Sequence, residues 1–462
     1  MELRSDKQSL RPRSISLRRW TPLLKSPEAL YAWIWVLLLV CAAHASEADL
    51  STPAQTQPGF LAGSELTDQW FGLRPELQQH GVELNSSLTQ FYQGLVGGQG
   101  DHNSEYGGKL DGTFAIDGQK LGLWPGLFVN GYAGFRFGET SNGAGGTLLP
   151  NDTALLFPKG KGDVFALTSL TLTQFLSPNV GISIGRFDTV LLYNTPFTGG
   201  YGLDKFMNIA LTAPPIVGRT VPPVTLGASL LVLHQQMPVF TAAVFNSENT
   251  PVTTGFEKLG SNGWTIFLDA TLPVKPYGLA GHYSVGGTYS TERLTTFTQN
   301  PLLLLANLLL VKAPPLRKES GSWTVNFAID QYLYQRPDNP KIGWGLFGYC
   351  CFSDANPNPI SFFAHGGIGG TSPIPRRQKD NFGIGYYYLA ISHDLEQTLQ
   401  PFTRLPVIGP KLQLRDEQGV EMFYNLALTG WMKFAADLQI VRPGLARAPT
   451  ATIFGIRAKI DF

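Results

Sequence analysis

Alternation with a period of two runs through most of this chain. At the carboxyl end, Thr452, Phe454, Ile456, Ala458, Ile460 and Phe462 share one phase, and Ile453, Gly455, Arg457, Lys459 and Asp461 the other. Successive side chains of a strand point to opposite faces, so one face here is greasy and the other largely polar. The same pattern recurs upstream. Met432, Phe434, Ala436, Leu438 and Ile440 alternate with Lys433, Ala435, Asp437, Gln439 and Val441. Val420, Met422, Tyr424, Leu426 and Leu428 alternate with Glu421, Phe423, Asn425, Ala427 and Thr429. Trp264, Ile266 and Leu268 alternate with Thr265, Phe267 and Asp269, and Trp323, Val325, Phe327 and Ile329 with Thr324, Asn326, Ala328 and Asp330. Leu127, Val129, Ala133, Phe135 and Phe137 face away from Phe128, Asn130, Tyr132 and Arg136. Clusters of Gly, Asn, Pro and Asp separate these segments, as hairpin connections require. Two stretches break the rhythm. Pro75 to His80, ending at Gly81, predicts a short helix with Pro at its first position and Gly past its end. Pro301 to Val311 (PLLLLANLLLV) is apolar but too short to span a membrane as a helix, and reads as a strand or buried loop.

Two all-β architectures use such a pattern. A soluble sandwich or propeller buries the greasy face. A membrane barrel turns it to lipid and lines its lumen with the polar face. The amino terminus decides between them. Arg4, Lys7, Arg11, Arg13, Arg18, Arg19 and Lys25 precede an apolar stretch from Leu30 to Ala43, and Ala43-His44-Ala45 before Ser46 fits a small-x-small cleavage site. Trp124, Trp264, Trp323 and Trp431 fall near segment ends, where interfacial girdles sit. Trp431 is phase-inward yet beside a turn, and reads as an interface anchor. In lipid every backbone amide must be paired, so the sheet must close. The expectation is therefore an all-β fold: a leader over 1–45, a short periplasmic segment over 46–80 carrying the helix, and a transmembrane antiparallel β-barrel over 81–462. The length suits about 16 strands with ~10-residue spans, a size that leaves an aqueous channel.

Composition adds exclusions. Only 15% of residues are charged, against about 25% in ordinary soluble domains, while Gly (51), Phe (29) and Tyr (16) are abundant. A net charge of +1 gives no basic surface for a nucleic acid. Cys350 and Cys351 form no Cys-x-x-Cys pattern and read as two incidental thiols in a loop. No Gly-x-Ser-x-Gly elbow or His-Glu-x-x-His helix occurs, and the histidines are scattered, so an enzyme is not expected. No metal or organic cofactor is implied.

An ordered set of short motifs resembles the carbohydrate-selective porin family of the OprB type. It begins with Asp68-Gln69-Trp70-Phe71-Gly72-Leu73-Arg74-Pro75-Glu76-Leu77 running on to Gly81-Val82. Gly185-Arg186-Phe187-Asp188 and Asn194-Thr195-Pro196-Phe197 fit the family's middle. Glu421-x-Phe423-Tyr424-Asn425, Trp431, Asp437-Leu438-Gln439 and Gly455-Ile456-Arg457 resemble its closing strands. The resemblance implies a barrel of about 16 strands that admits mono- or disaccharides by passive diffusion, through a constriction of charged and aromatic residues. Arg forks and carboxylates can replace a sugar's water shell. Arg136, Arg186 and Arg457 are placed on lumen-facing phases and are candidates for the basic side of that constriction. The competing view makes them ordinary wall charges paired with Asp188 or Glu421. Phe187 and Tyr132 are candidate stacking rings, or equally girdle and loop-packing residues. A general diffusion porin and a polysaccharide export pore stay open as alternatives. The partners implied are sugar solutes, outer-membrane lipid and the barrel-assembly machinery through Phe462, with homotrimer and monomer both open.

Overall fold

The computed structural model describes residues 65–462 except 68–69, 71–72, 311–313, 406–408 and 410–412. The expected leader and the first part of the periplasmic segment lie outside the described residues. Strands form wherever the alternation is sustained. The first five are β1 (Val82–Gly97), β2 (Ser104–Asp117), β3 (Leu127–Gly138), β4 (Val164–Ser177) and β5 (Val180–Asp188). Then come β6 (Val224–His234), β7 (Met237–Asn246), β8 (Trp264–Val274), β9 (Gly281–Ser290), β10 (Ser322–Arg336) and β11 (Asn339–Ser353). The last five are β12 (Ile360–Thr371), β13 (Asn381–Ile391), β14 (Glu417–Ala427), β15 (Met432–Arg442) and β16 (Ala451–Asp461). Each pairs antiparallel with its neighbours in sequence, and β1 pairs with β16 from Ser87↔Asp461 to Gly97↔Thr452, closing a barrel of 16 strands.

Exposure follows the phase, in the membrane sense. On β8, Trp264, Ile266 and Leu268 are 41%, 45% and 47% exposed, while Thr265 between them is fully covered. On β10, Trp323, Val325, Phe327 and Ile329 stand outward, and Ser322, Thr324, Asn326 and Asp330 are buried. Greasy outside and polar inside is a solution that only lipid stabilises. Among the described residues no helix is long and apolar enough to cross a membrane.

The two ends of the barrel differ. One end carries turns as short as 178–179, 235–236 and 337–338, and the other carries the loops 139–163, 189–223, 247–263, 291–321 and 392–416. In the turn at 235–236 both Gln235 (φ 51°) and Gln236 (φ 66°) take positive φ, the primed geometry whose twist matches the flanking strands. With an even number of strands, β1 starts and β16 finishes at the short-turn end. There α1 (Leu73–Gln79) packs against β1. It starts before Pro75, which is its third residue rather than its first, a position still tolerated within the first turn. Arg74 ties the helix to the last strand, its Nη2 donating to the carbonyls of Phe462 at 2.8 Å and Leu84 at 3.2 Å.

Three expectations are corrected. Of the stretch expected as a strand or buried loop, Pro301–Leu309 is α-helical. Pro301 opens it, Asn300 caps it by accepting from the Leu302 N–H at 3.0 Å, and its leucines favour a helix over a strand. Cys350 and Cys351 lie on β11 and not in a loop, with Cys351 buried inward. Trp431 is buried in the turn between β14 and β15, whereas Trp124, Trp264 and Trp323 stand exposed as a girdle would.

Candidate functional site in the lumen

The longest connection, 189–223, folds back into the barrel. Its sequence explains this, because Phe197, Tyr201, Phe206, Met207, Leu211, Ile216 and Val217 are apolar side chains within a loop and all are buried. They need a wall that leaves room for them, and β12 and β13 supply it. Gly383 and Gly385 lie on the inward phase of β13, where a Cβ would come within 2.6 Å of the Phe206 ring and 2.8 Å of Leu211. Phe206 also meets Phe347 and Phe423 edge-on, with centroids at 5.5 and 4.9 Å.

Polar wall residues then fasten the loop's backbone at mid-strand. The Glu421 carboxylate accepts from the N–H groups of Met207 and, at 3.1 Å, Asn208. Asn208 caps the short helix α2 (Ile209–Thr212) by accepting from the Ala210 N–H at 2.9 Å, and its Nδ2 donates to Gln439 Oε1 at 3.0 Å. Arg457 Nη1 donates to the carbonyls of Gly202 and Lys205 at 2.6 and 2.8 Å. Lys459 and Lys433 hold Asp204 at 2.6 and 3.3 Å. Burial favours the neutral acid at Asp204, but the two lysines overcome it and hold the carboxyl well below its usual range.

A second loop, 139–163, is held the same way. Glu417 accepts from the N–H groups of Leu148, Leu149 and Gly444 at 2.6, 3.1 and 2.9 Å. Arg136 donates to the carbonyls of Pro158, Gly160 and Gly162. The Thr153 N–H donates to the Met207 carbonyl at 2.9 Å, joining the two loops. Burial pushes the Asp152 carboxyl in this loop up to about 7.

The residues singled out from sequence are thus brought together, though not as a bare ring of pore-lining groups. Arg136, Glu421 and Arg457 are buried inward and bonded to loop backbone. Tyr132 stacks on Tyr201 of the inserted loop with centroids 5.8 Å apart, and Tyr201 donates to Asp188 at 2.6 Å. Lys109 Nζ lies 3.6 Å over the Tyr201 ring. Phe187 meets Phe245 edge-on at 5.4 Å. Arg186 is a correction. It shares the phase of Ile182 and Ile184, which are exposed on the outer face, so it does not face the lumen. Its guanidinium reaches along the strand to the carbonyls of Thr250 and Thr253 and fastens the loop 247–263. What the sequence reading missed is the loop itself, Asp204 and Asn208 above all. A signal existed in the inward glycines of Gly366-Gly367-Ile368-Gly369-Gly370 and Gly383-Ile384-Gly385.

At the start of the inserted loop, Leu191, Leu192 and Asn194 are exposed and Tyr193 is half-buried. The inward phases of β8, β9 and β10 carry Asp269, Thr271, His282, Ser284, Asn326 and Asp330, with His282 and Asp330 paired at 2.7 Å. Such a lumen offers hydroxyl, amide and carboxylate groups to a neutral polar solute.

A family model described as carbohydrate-selective porin, OprB family, matches residues 101–462. The chain belongs to this family. Its OprB-family fold also appears in the solved structures. The high-pH structure of Pseudomonas putida OprB covers 87% of this chain and 100% of its own, with a TM-score of 0.73 at 20% identity. The low-pH structure of the same protein covers 87% and 99%, with a TM-score of 0.50 at 18% identity. No curated protein matches the chain. As an OprB-family barrel the chain is a sugar-diffusing porin of the outer membrane, and the motifs around Trp70 lie ahead of the matched stretch.

Proposed function

We propose that this porin passes mono- or disaccharides passively down their gradient, and that the loop 189–223 sets its selectivity. The observation that carries this reading is the fastening of that loop at mid-barrel by Glu421 and Arg457. A narrowed passage beside a wall of Asn, Ser, Thr and Asp side chains favours solutes rich in hydroxyls, because such groups both donate and accept. Binding there must stay weak for conduction to continue. In this reading Arg136, Glu421, Arg457 and Tyr132 act by holding the loops that shape the passage, and Arg186 by holding the outer loop 247–263. The segment 46–80 serves as a periplasmic lead into the barrel, and Phe462 as the residue the assembly machinery reads.

The test is single-channel conductance of the refolded protein in a planar bilayer, titrated with glucose, maltose and sucrose at fixed salt. Saturable reduction of the current by one sugar, and not by a size-matched polyol, is the expected result. Steps insensitive to every sugar would make the barrel a general porin.

A further inference from the structure

Across three adjacent strands, Asp269 on β8, Gly286 on β9 and Asn326 on β10 stand in register, Asp269↔Gly286 and Gly286↔Asn326. All three lie on the inward phase. Gly286 has no positive φ, so its backbone does not require glycine. Its role is spatial. A Cβ at this position would stand 2.8 Å from Asp269 Oδ2 and 3.0 Å from Asn326 Oδ1, so two polar side chains converge over a bare α-carbon and form a notch in the wall.

The neighbours hold this notch in shape. Thr271 Oγ1 donates to Asp269 Oδ1 at 3.2 Å and is itself bonded to Ser284 Oγ at 2.8 Å. That fixes the carboxylate and leaves Oδ2 aimed over the glycine. Asn326 is only 6% exposed, yet its carboxamide has no hydrogen bond among the described residues. Its polar groups are therefore free to meet a ligand hydroxyl.

We propose that this notch is a sugar subsite, in which Asp269 Oδ2 and the Asn326 carboxamide take two neighbouring hydroxyls of one pyranose. A carboxylate accepts from a hydroxyl in a strong charge-assisted bond. A carboxamide both donates and accepts, so the pair suits a vicinal diol. The inference rests on the chain being a sugar pore, and it locates one place where discrimination arises.

Gly286→Ala fills the notch at a φ that alanine adopts, its Cβ close against the Leu268 carbonyl as well, and Asn326→Ala empties it of the amide. Both are measured as refolded full chains by glucose titration of single-channel current, alongside the unsubstituted protein. The expected result is a half-blocking concentration raised about tenfold in each variant, the scale of one good hydrogen bond. A glucose block in the unsubstituted protein that both variants retain at the same concentration overturns the subsite while leaving the sugar pore standing. Where glucose does not block the unsubstituted protein, maltose and sucrose are titrated in its place, and no block by any of the three overturns the sugar-pore reading itself.

Discussion

Arg457 and Lys205 are 252 positions apart, yet Arg457 Nη1 donates to the Lys205 carbonyl at 2.8 Å. The same nitrogen reaches Gly202 at 2.6 Å, so one guanidinium on the last strand closes two carbonyls of a loop deep in the barrel. Replacing it with Met leaves both carbonyls buried and unpaired, at a cost of about 1.5–3 kcal/mol for a charged hydrogen bond. For Arg457→Met we expect larger open-channel conductance and weaker block by sugars, read in a planar bilayer.

Glu421→Gln tests the opposite side of the same fastening. The carboxylate accepts from two backbone N–H groups, whereas a carboxamide offers one oxygen and turns an NH2 group towards the other. Amide exchange at Met207 and Asn208 should quicken by about 10- to 100-fold, as ~1–3 kcal/mol of local protection is lost. Unchanged exchange would show that Glu421 does not hold the loop.

Gly385→Leu acts with the opposite sign. The wall groove at Gly385 is where Leu211 lies, and a larger side chain pushes the loop towards the middle of the lumen. The barrel should still fold, with overpacking costing about 1–3 kcal/mol. Conductance should fall, where unpinning makes it rise.

Asp152 gives a pH dependence. Burial raises its pKa to about 7, above the ~3.9 of an unfolded aspartate. A group raised on folding contributes stability that is full below the unfolded value and is lost as pH rises through the folded one. The loop 139–163 should therefore hold less firmly at pH 8 than at pH 4. Asp152→Asn, which can still accept from the Leu155 N–H, should flatten that profile, as followed by proteolysis of the loop across pH.

Leu268 faces outward on β8. Leu268→Arg should cost about 2–4 kcal/mol near the bilayer midplane, measured by urea titration in lipid vesicles. The same substitution at Thr271, on the lumen phase of β8, should cost far less.

Much of the fold was legible because its signal is local. The phase of β8, β10, β14 and β16 follows from which residues neighbour each other in the chain. Even the outward position of Arg186 was written there, since it shares parity with Ile182 and Ile184. The apolar run at 301–311 was less legible, because a short stretch of leucines has no period that separates strand from helix. Local signals also failed for Trp431, whose burial depends on how the turn between β14 and β15 packs.

The sequence by itself determined a closed all-β membrane barrel, since period-two alternation, tryptophans near segment ends and the pairing demands of lipid leave little else. Only the tertiary structure decided that the longest loop fills part of the lumen and that Arg457 and Glu421 hold it. Those contacts join residues more than 200 positions apart, and the charge of a side chain says nothing of which distant carbonyl or amide will meet it. That partner is fixed by barrel closure, which brings β14 to β16 around to a loop that leaves the sheet at β5.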